Sequence, residues 1–245
     1  MPAKNNKVAG HGREGDADKA PVIVAIGASA GGIPALQNFF SGIKQNTGAA
    51  FIVVLHLDPE HRSELSAVVA ARTKMPVVQV EKTARLEPNH VYVIPPDRRL
   101  QVIDHEISAT EFDEPRGQRL PIDFLFRSVA ERLGDGFAVI LSGAGSDGAV
   151  GVRTVKESGG IILVQDPNEA DYASMPRSAI ETGAVDFVLP VKLCGRPRWG
   201  ISMRTCCSAL SLTCVCEPDT IFPSTNARQW CVGLHAACKS IALMS

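Results

Sequence analysis

The sequence predicts an α/β fold: a three-layer, doubly wound and mostly parallel sheet, with one antiparallel hairpin and an irregular C-terminal tail. Three observations carry that expectation. From Pro21 to about Lys192, short β-rich apolar runs alternate with segments of helical period. Several of those runs are apolar on both faces, as strands buried in a parallel sheet must be. The first run, "VIVAIGASAGG" at 22–32, passes straight into a glycine-rich turn before a helical segment.

Taken in chain order, residues 1–20 contain no apolar run of signal-peptide length and carry acidic residues that transit peptides avoid, so they are expected to form a disordered extension. The first strand is expected at 22–27. A helix follows, with Ile33, Leu36, Phe39, Phe40 and Ile43 at helical spacing and Pro34 in its first turn, where a missing N–H costs nothing. Further strands are expected at 51–57 (FIVVLHL), 77–80 and 91–94. Residues 95–120 interrupt the alternation and read as a hairpin followed by a polar loop closing over one end of the sheet. The helix at 121–133 opens on Pro121 and lines up Ile122, Leu125, Phe126, Val129 and Leu133 on one face. Strands at 137–142, 161–165 and 186–191 complete the domain, assigned to 21–192. These stripes are core and carry no functional reading.

At 245 residues the chain can bury a substantial core, and a formal net charge of -1 with a pI near 6.6 gives no global basic field that would imply a nucleic-acid partner. No run approaches the ~18 apolar residues of a membrane span, so direct membrane insertion is not expected and a cytoplasmic location is. All 7 cysteines, Cys194, Cys206, Cys207, Cys214, Cys216, Cys231 and Cys238, follow residue 190, which leaves the predicted core nothing to staple. The tail, 193–245, also gathers both tryptophans and has no C-x-x-C spacing, so a zinc site is disfavoured. A change of reading frame near residue 192 would produce the same abrupt shift in composition.

The glycine turn could cradle a phosphate or present a nucleophile. In the dinucleotide fingerprint G-x-G-x-x-G the middle glycine lets the backbone approach pyrophosphate. Here the six residues run Gly27, Ala28, Ser29, Ala30, Gly31, Gly32, and the Ser29 side chain takes that space. The second strand reaches His56 before Asp58, where the fingerprint wants an acid for the ribose, and no G-K-[ST] makes a P-loop.

Those same facts suit a nucleophile. A serine at a sharp strand-to-helix turn projects its Oγ above the sheet, and small neighbours expose N–H groups suited to an oxyanion. His56 is expected at the carboxyl end of the second strand, and Asp147, in "SGAGSDG", beyond the strand at 137–142. In open α/β sheets that edge is where ligands bind. Taken singly, Ser29 reads as a turn residue, His56 as a packed histidine and Asp147 as an Asx-turn or helix cap. Together they are the three roles of a nucleophile, base and orienter, which occur in any chain order. His61, in "DPEHRSEL", is the one rival base. His90, His105, His11 and His235 lie in a turn, the hairpin and the terminal extensions.

The combination resembles the CheB-type chemoreceptor methylesterases over roughly residues 21–191. "AIGASAGG" is similar to that family's nucleophile turn, "LHLDPEHRSEL" to its histidine segment, "VYVIPP" to a following strand and "LSGAGSDGAVG" to its aspartate turn, with "PIDFLFRSVAE" and "MPRSAIETGAVDFVLPV" similar as well. The resemblance implies Ser29 as nucleophile, His56 as general base and then acid, and Asp147 as orienter, with the backbone N–H groups of Ala30 and Ala144 as oxyanion donors. Many members carry Thr and Met where this chain has Ala30 and Ala144, but main-chain donors survive such changes. It also implies demethylation of glutamate methyl esters, and deamidation of glutamines, on the cytoplasmic helices of methylated chemoreceptors, without metal or organic cofactor. Twenty residues before Pro21 are too few for the receiver domain many relatives carry. Control by phosphorylation in cis is therefore not expected, and a truncated or stand-alone module is. A catalytically idle docking module of the same fold, a nucleotide-binding protein and a hydrolase of small esters or amides are the other readings, since a triad does not name its acyl donor.

Overall fold

The computed structural model describes residues 21–56, 65–115, 117–133 and 136–195. In chain order the elements are β1 (Val22–Ala28), α1 (Gly32–Ser41), β2 (Ala49–Leu55), α2 (Leu65–Ala70), β3 (Val77–Gln79), β4 (Thr83–Arg85), β5 (His90–Val93), β6 (Arg99–Ile103), β7 (Glu106–Thr110), α3 (Pro121–Leu133), β8 (Phe137–Ile140), α4 (Ala149–Glu157), β9 (Ile161–Gln165), α5 (Ser174–Glu181), β10 (Phe187–Leu189) and α6 (Val191–Cys194).

Seven strands form one sheet in the order β10-β9-β8-β1-β2-β5-β3, and every pairing in it is parallel. Its centre is apolar on both faces. All seven residues of β2 and all four of β8 are buried, which is why these strands read as continuous hydrophobic runs. Strand order turns around at β1: β2 pairs on one side, in register from Val22 with Ala49 to Ala28 with Leu55, and β8 on the other, from Val24 with Phe137 to Gly27 with Ile140. Right-handed crossovers leaving in opposite directions put their helices on opposite faces. Accordingly α1 packs against α2 and α6, whereas α3 packs on α4 and α4 on α5. The crevice at such a switch point lies beyond the carboxyl ends of β1 and β8.

Three-layer, doubly wound architecture is thus as expected. In α1, Leu36, Phe39 and Phe40 are buried, but Ile33, assigned to the same stripe, lies 38% exposed in the first turn. The stripe of α3 is buried at Ile122, Leu125, Phe126 and Val129. The hairpin forms as β6 and β7, and β4 joins it to make a separate three-stranded antiparallel sheet. Strand β6 packs on α3, and the Val102 N–H donates to the Ser128 hydroxyl at 3.1 Å. The polar loop after β7 is ion-paired to the segment entering β6: Glu111 with Arg98, Asp113 and Glu114 with Arg99, and Arg119 with Asp97.

Helix α6 runs past residue 192, and its Cys194 is buried against the domain at 2% exposure. The expected N-terminal extension and the tail beyond Gly195 lie outside the described residues. Among the described residues no helix is long and apolar enough to cross a membrane.

Candidate active site

Ser29 and His56 directly follow the carboxyl ends of β1 and β2, and Asp147 lies at the end of the loop that joins β8, the other neighbour of β1, to α4. Parallel pairing brings them to one edge, because each of those strands ends where a loop begins. The His56 N–H donates to the Ala28 carbonyl at 2.9 Å and the Ser29 N–H to the Ser142 carbonyl at 3.0 Å, so the three strand ends are tied together by main-chain bonds. The His56 imidazole is turned to solvent rather than into the core, with 44% of the side chain exposed. Its Nδ1 faces Asp147 Oδ2 at 3.8 Å, longer than a hydrogen bond. The Ser29 hydroxyl donates at 3.1 Å to the main-chain carbonyl of His56 and not to its ring. The rival base, His61, lies outside the described residues.

Asp147 does not cap the helix it precedes. The N-cap of α4 is Gly148, which has no side chain, and Asp147 instead accepts the N–H groups of Ile122 (3.1 Å) and Asp123 (2.9 Å) at the start of α3. Asp123 returns the arrangement by accepting the Gly151 N–H of α4 at 2.5 Å. Each helix thus supplies the carboxylate that satisfies the other's orphan donors. This reciprocal capping fixes the Asp147 carboxyl through both oxygens, Oδ1 accepting from Asp123 and Oδ2, the oxygen that faces His56, from Ile122.

Burial dominates the electrostatics. Desolvation pushes the Asp147 carboxyl up to about 7, against the lowering effect of the Asp123 and Ile122 N–H bonds, and the nearby Asp123 charge raises it further. Desolvation likewise holds the His56 imidazole below its ordinary value. Both shifts favour neutral forms, in keeping with a pair that stands beyond hydrogen-bond distance. Once a proton reaches His56, an ionised Asp147 beside it gains a partner.

The positions expected as oxyanion donors lie on two loops. Ala30 follows Ser29 in the turn, and Ala144 is exposed in the loop after β8. Among the described residues neither N–H meets a hydrogen-bond acceptor. Gly31, at φ 67°, turns the chain into α1 and serves as its N-cap.

Sequence reasoning missed three polar residues around these. Ser142 is 1% exposed, and its hydroxyl donates to the Ala30 carbonyl at 2.9 Å and accepts the Tyr172 N–H at 3.0 Å. Gln165, 4% exposed, accepts the Ser142 N–H at 2.8 Å through Oε1 and reaches Glu169 with its amide nitrogen at 3.4 Å. Asp123 is the third. A polar residue at the end of an apolar strand, as in "VILS" and "ILVQ", was the available signal. A cleft of about 280 Å³ opens behind the turn on the α1 side, lined among others by Gly31, Ser142, Gln165, Glu169 and Lys192. Among the described residues no three or more His, Cys, Asp or Glu converge as metal ligands would.

The sheet carries serine, histidine and aspartate at its carboxyl edge, the residue types that hydrolases of α/β fold use there. The family model for CheB methylesterase matches residues 24–196, and the chain belongs to that family. It is 34% identical over 171 residues to a Leptospira interrogans protein provisionally named protein-glutamate methylesterase/protein-glutamine glutaminase, covering 69% of this chain and 89% of that one. A Photorhabdus laumondii protein-glutamate methylesterase/protein-glutamine glutaminase is 32% identical over 174 residues, 69% of this chain and 49% of its own, so the chain spans about half the length of that relative. The crystal structure of the Thermotoga maritima CheB methylesterase catalytic domain superposes with a TM-score of 0.66 at 28% identity, over 72% of this chain and 96% of that one.

Proposed function

We propose that this member of the CheB methylesterase family demethylates glutamate γ-methyl esters, and deamidates glutamines, on the cytoplasmic helices of methylated chemoreceptors, using Ser29, His56 and Asp147. The observation that most supports this reading is the surroundings of His56. Its carbonyl accepts the Ser29 hydroxyl at 3.1 Å, and its Nδ1 faces the buried Asp147 carboxyl at 3.8 Å.

In the reactive arrangement the Ser29 hydroxyl leaves that carbonyl for Nε2, the ring nitrogen left free when Nδ1 turns to Asp147. Such looseness is usual before substrate binds. Ser29 Oγ then attacks the ester carbonyl while His56 takes its proton, and the N–H groups of Ala30 and Ala144 receive the developing oxyanion. Methanol departs with the proton from His56. Water activated by the same imidazole cleaves the acyl-enzyme, returning the glutamate and the free serine. Asp147, held by α3, orients the imidazole and stabilises its charged form. In deamidation ammonia leaves in place of methanol.

Covalent labelling tests the assignment. A fluorophosphonate should modify Ser29 alone among the serines, as read by peptide mass spectrometry, and His56→Ala should suppress the labelling by at least ~100-fold. Labelling at another serine, or equal labelling of the His56→Ala variant, would remove Ser29 and His56 from these roles.

A further inference from the structure

We infer that Ser142 is a positioning residue that fixes the two oxyanion donors relative to each other, an inference that rests on reading Ser29 as the nucleophile. Ser142 lies immediately beyond β8 and bonds to the nucleophile turn twice, once through its main chain and once through its side chain. Its carbonyl accepts the Ser29 N–H at 3.0 Å, and its hydroxyl donates to the Ala30 carbonyl at 2.9 Å, 112 residues away in sequence. Those two bonds pin the peptide group before Ser29 and the peptide group after Ala30. The unit between them, linking Ser29 to Ala30, carries the Ala30 N–H. That unit's own carbonyl accepts the Gly32 N–H at 2.8 Å within the turn, and Ser142, by holding both neighbouring units, fixes the turn and its N–H relative to the loop after β8.

The other donor hangs from the same residue. Ala144 is two positions after Ser142, and the intervening Gly143 is clasped on both sides: its N–H donates to the Tyr172 carbonyl at 3.0 Å, and its carbonyl accepts the Met175 N–H at 3.0 Å and the Ser174 hydroxyl at 3.2 Å. The Ser142 hydroxyl accepts the Tyr172 N–H at 3.0 Å, and its own N–H is taken by Gln165 at 2.8 Å. Every polar group of Ser142 is therefore committed. Among the described residues the hydroxyl is the one side-chain hydrogen-bond link between the loop bearing Ala30 and the segment that holds Gly143. The turn's own contacts are tight there, since a Cβ on Gly31 would stand 2.7 Å from Ser142 Oγ. Ser142 acts through peptide groups and touches neither substrate nor the reacting atoms.

Small errors in donor placement are costly because an oxyanion hole works by preorganisation, and a displacement of about 1 Å can cost ~100-fold. Ser142→Ala removes only the Oγ. Its turnover per active site should fall ~10- to 100-fold with KM within about threefold of the parent, since the donors matter to the transition state and not to ground-state binding. The experiment counts active sites with a fluorophosphonate, measures kcat and KM on a peptide bearing a glutamate γ-methyl ester, and measures the rate constant of phosphonylation, which also builds negative oxygen at the hole. A purely structural role would reduce the number of titratable sites and leave the rate of each unchanged. Should Ser142→Ala fail to fold, Ser142→Cys keeps the volume with a weaker donor, and its phosphonylation should slow by an intermediate factor. Wild-type turnover per titrated site in the folded variant would overturn the positioning role alone. Failure of the wild-type chain to be labelled at Ser29 would instead overturn the nucleophile assignment, and this inference with it.

Discussion

Replacing Gly31 by alanine should be among the most damaging single-methyl changes in the domain, and the geometry separates its two causes. Gly31 has φ 67°, and an added Cβ would lie 2.7 Å from both the Asp171 Cβ and the Ser142 Oγ, and 3.1 Å from the Tyr172 ring. Left-handed backbone costs an L-residue about 1–2 kcal/mol, and forcing a methyl into packed atoms about 1–3 kcal/mol more. Gly183 provides the comparison: its φ is 72°, with nothing within 4 Å of the added Cβ, so Gly183→Ala meets the backbone term alone. Urea unfolding of both variants at one pH should show similar slopes, with Gly183→Ala destabilised by about 1–2 kcal/mol and Gly31→Ala by about 2–5 kcal/mol. Hydrolysis should fall in Gly31→Ala, whose methyl displaces Ser142, and stay at the parent rate in Gly183→Ala. Equal stability of the two variants, within about 0.5 kcal/mol, would refute the crowding around the turn.

Burial shifts also set the pH response. Activity needs His56 neutral, a condition met above a value lower than 6.5, and Asp147 ionised, met above about 7. The acid limb of kcat/KM should therefore rise through about pH 7 as the titration of the pair, and Asp147→Asn should lose that step along with most of the activity. A full rate maintained at pH 5.5 would contradict it. In stability the sign is opposite to that of an ion-paired carboxylate. The folded protein keeps a proton on Asp147 that the unfolded chain has released above 3.8, so stability declines as pH rises from there to about 7, by at most about 4 kcal/mol, and Asp147→Asn should flatten the decline. Away from the site, Asp186 accepts the N–H of fully buried Ile162 at 2.9 Å and pairs with Lys156. Asp186→Ala should cost about 1–3 kcal/mol by leaving that N–H unpaired, measurable as a lower urea midpoint, with kcat unchanged.

The parallel sheet was legible because buried strands such as "FIVVL" and "FAVI" have no polar face to confuse the pattern. Strand β4 was not, since Thr83–Arg85 is three residues long, with its outer two exposed, and owes its extended form to pairing with β7. Ile33 satisfied the helical spacing but lies outside the core, because periodicity marks a face and not where along the helix the sheet stops. Ser29, His56 and Asp147 could be gathered from sequence because strand ends in a parallel sheet share an edge. The hydroxyl of Ser142, the amide of Gln165 and the capping carboxylate of Asp123 act across 23 to 112 residues. No local pattern encodes such a pairing. Asp147 shows the limit in both directions: its bland reading as a cap is realised at α3, and the same carboxyl faces His56.

The central claim, ester hydrolysis through Ser29, is tested most directly by methanol release from a methylated chemoreceptor cytoplasmic fragment, comparing the chain with its Ser29→Ala variant. The parent should release methanol at a clear rate, and the variant should lose at least ~1,000-fold. No release by the folded parent, or release undiminished in Ser29→Ala, would contradict the claim.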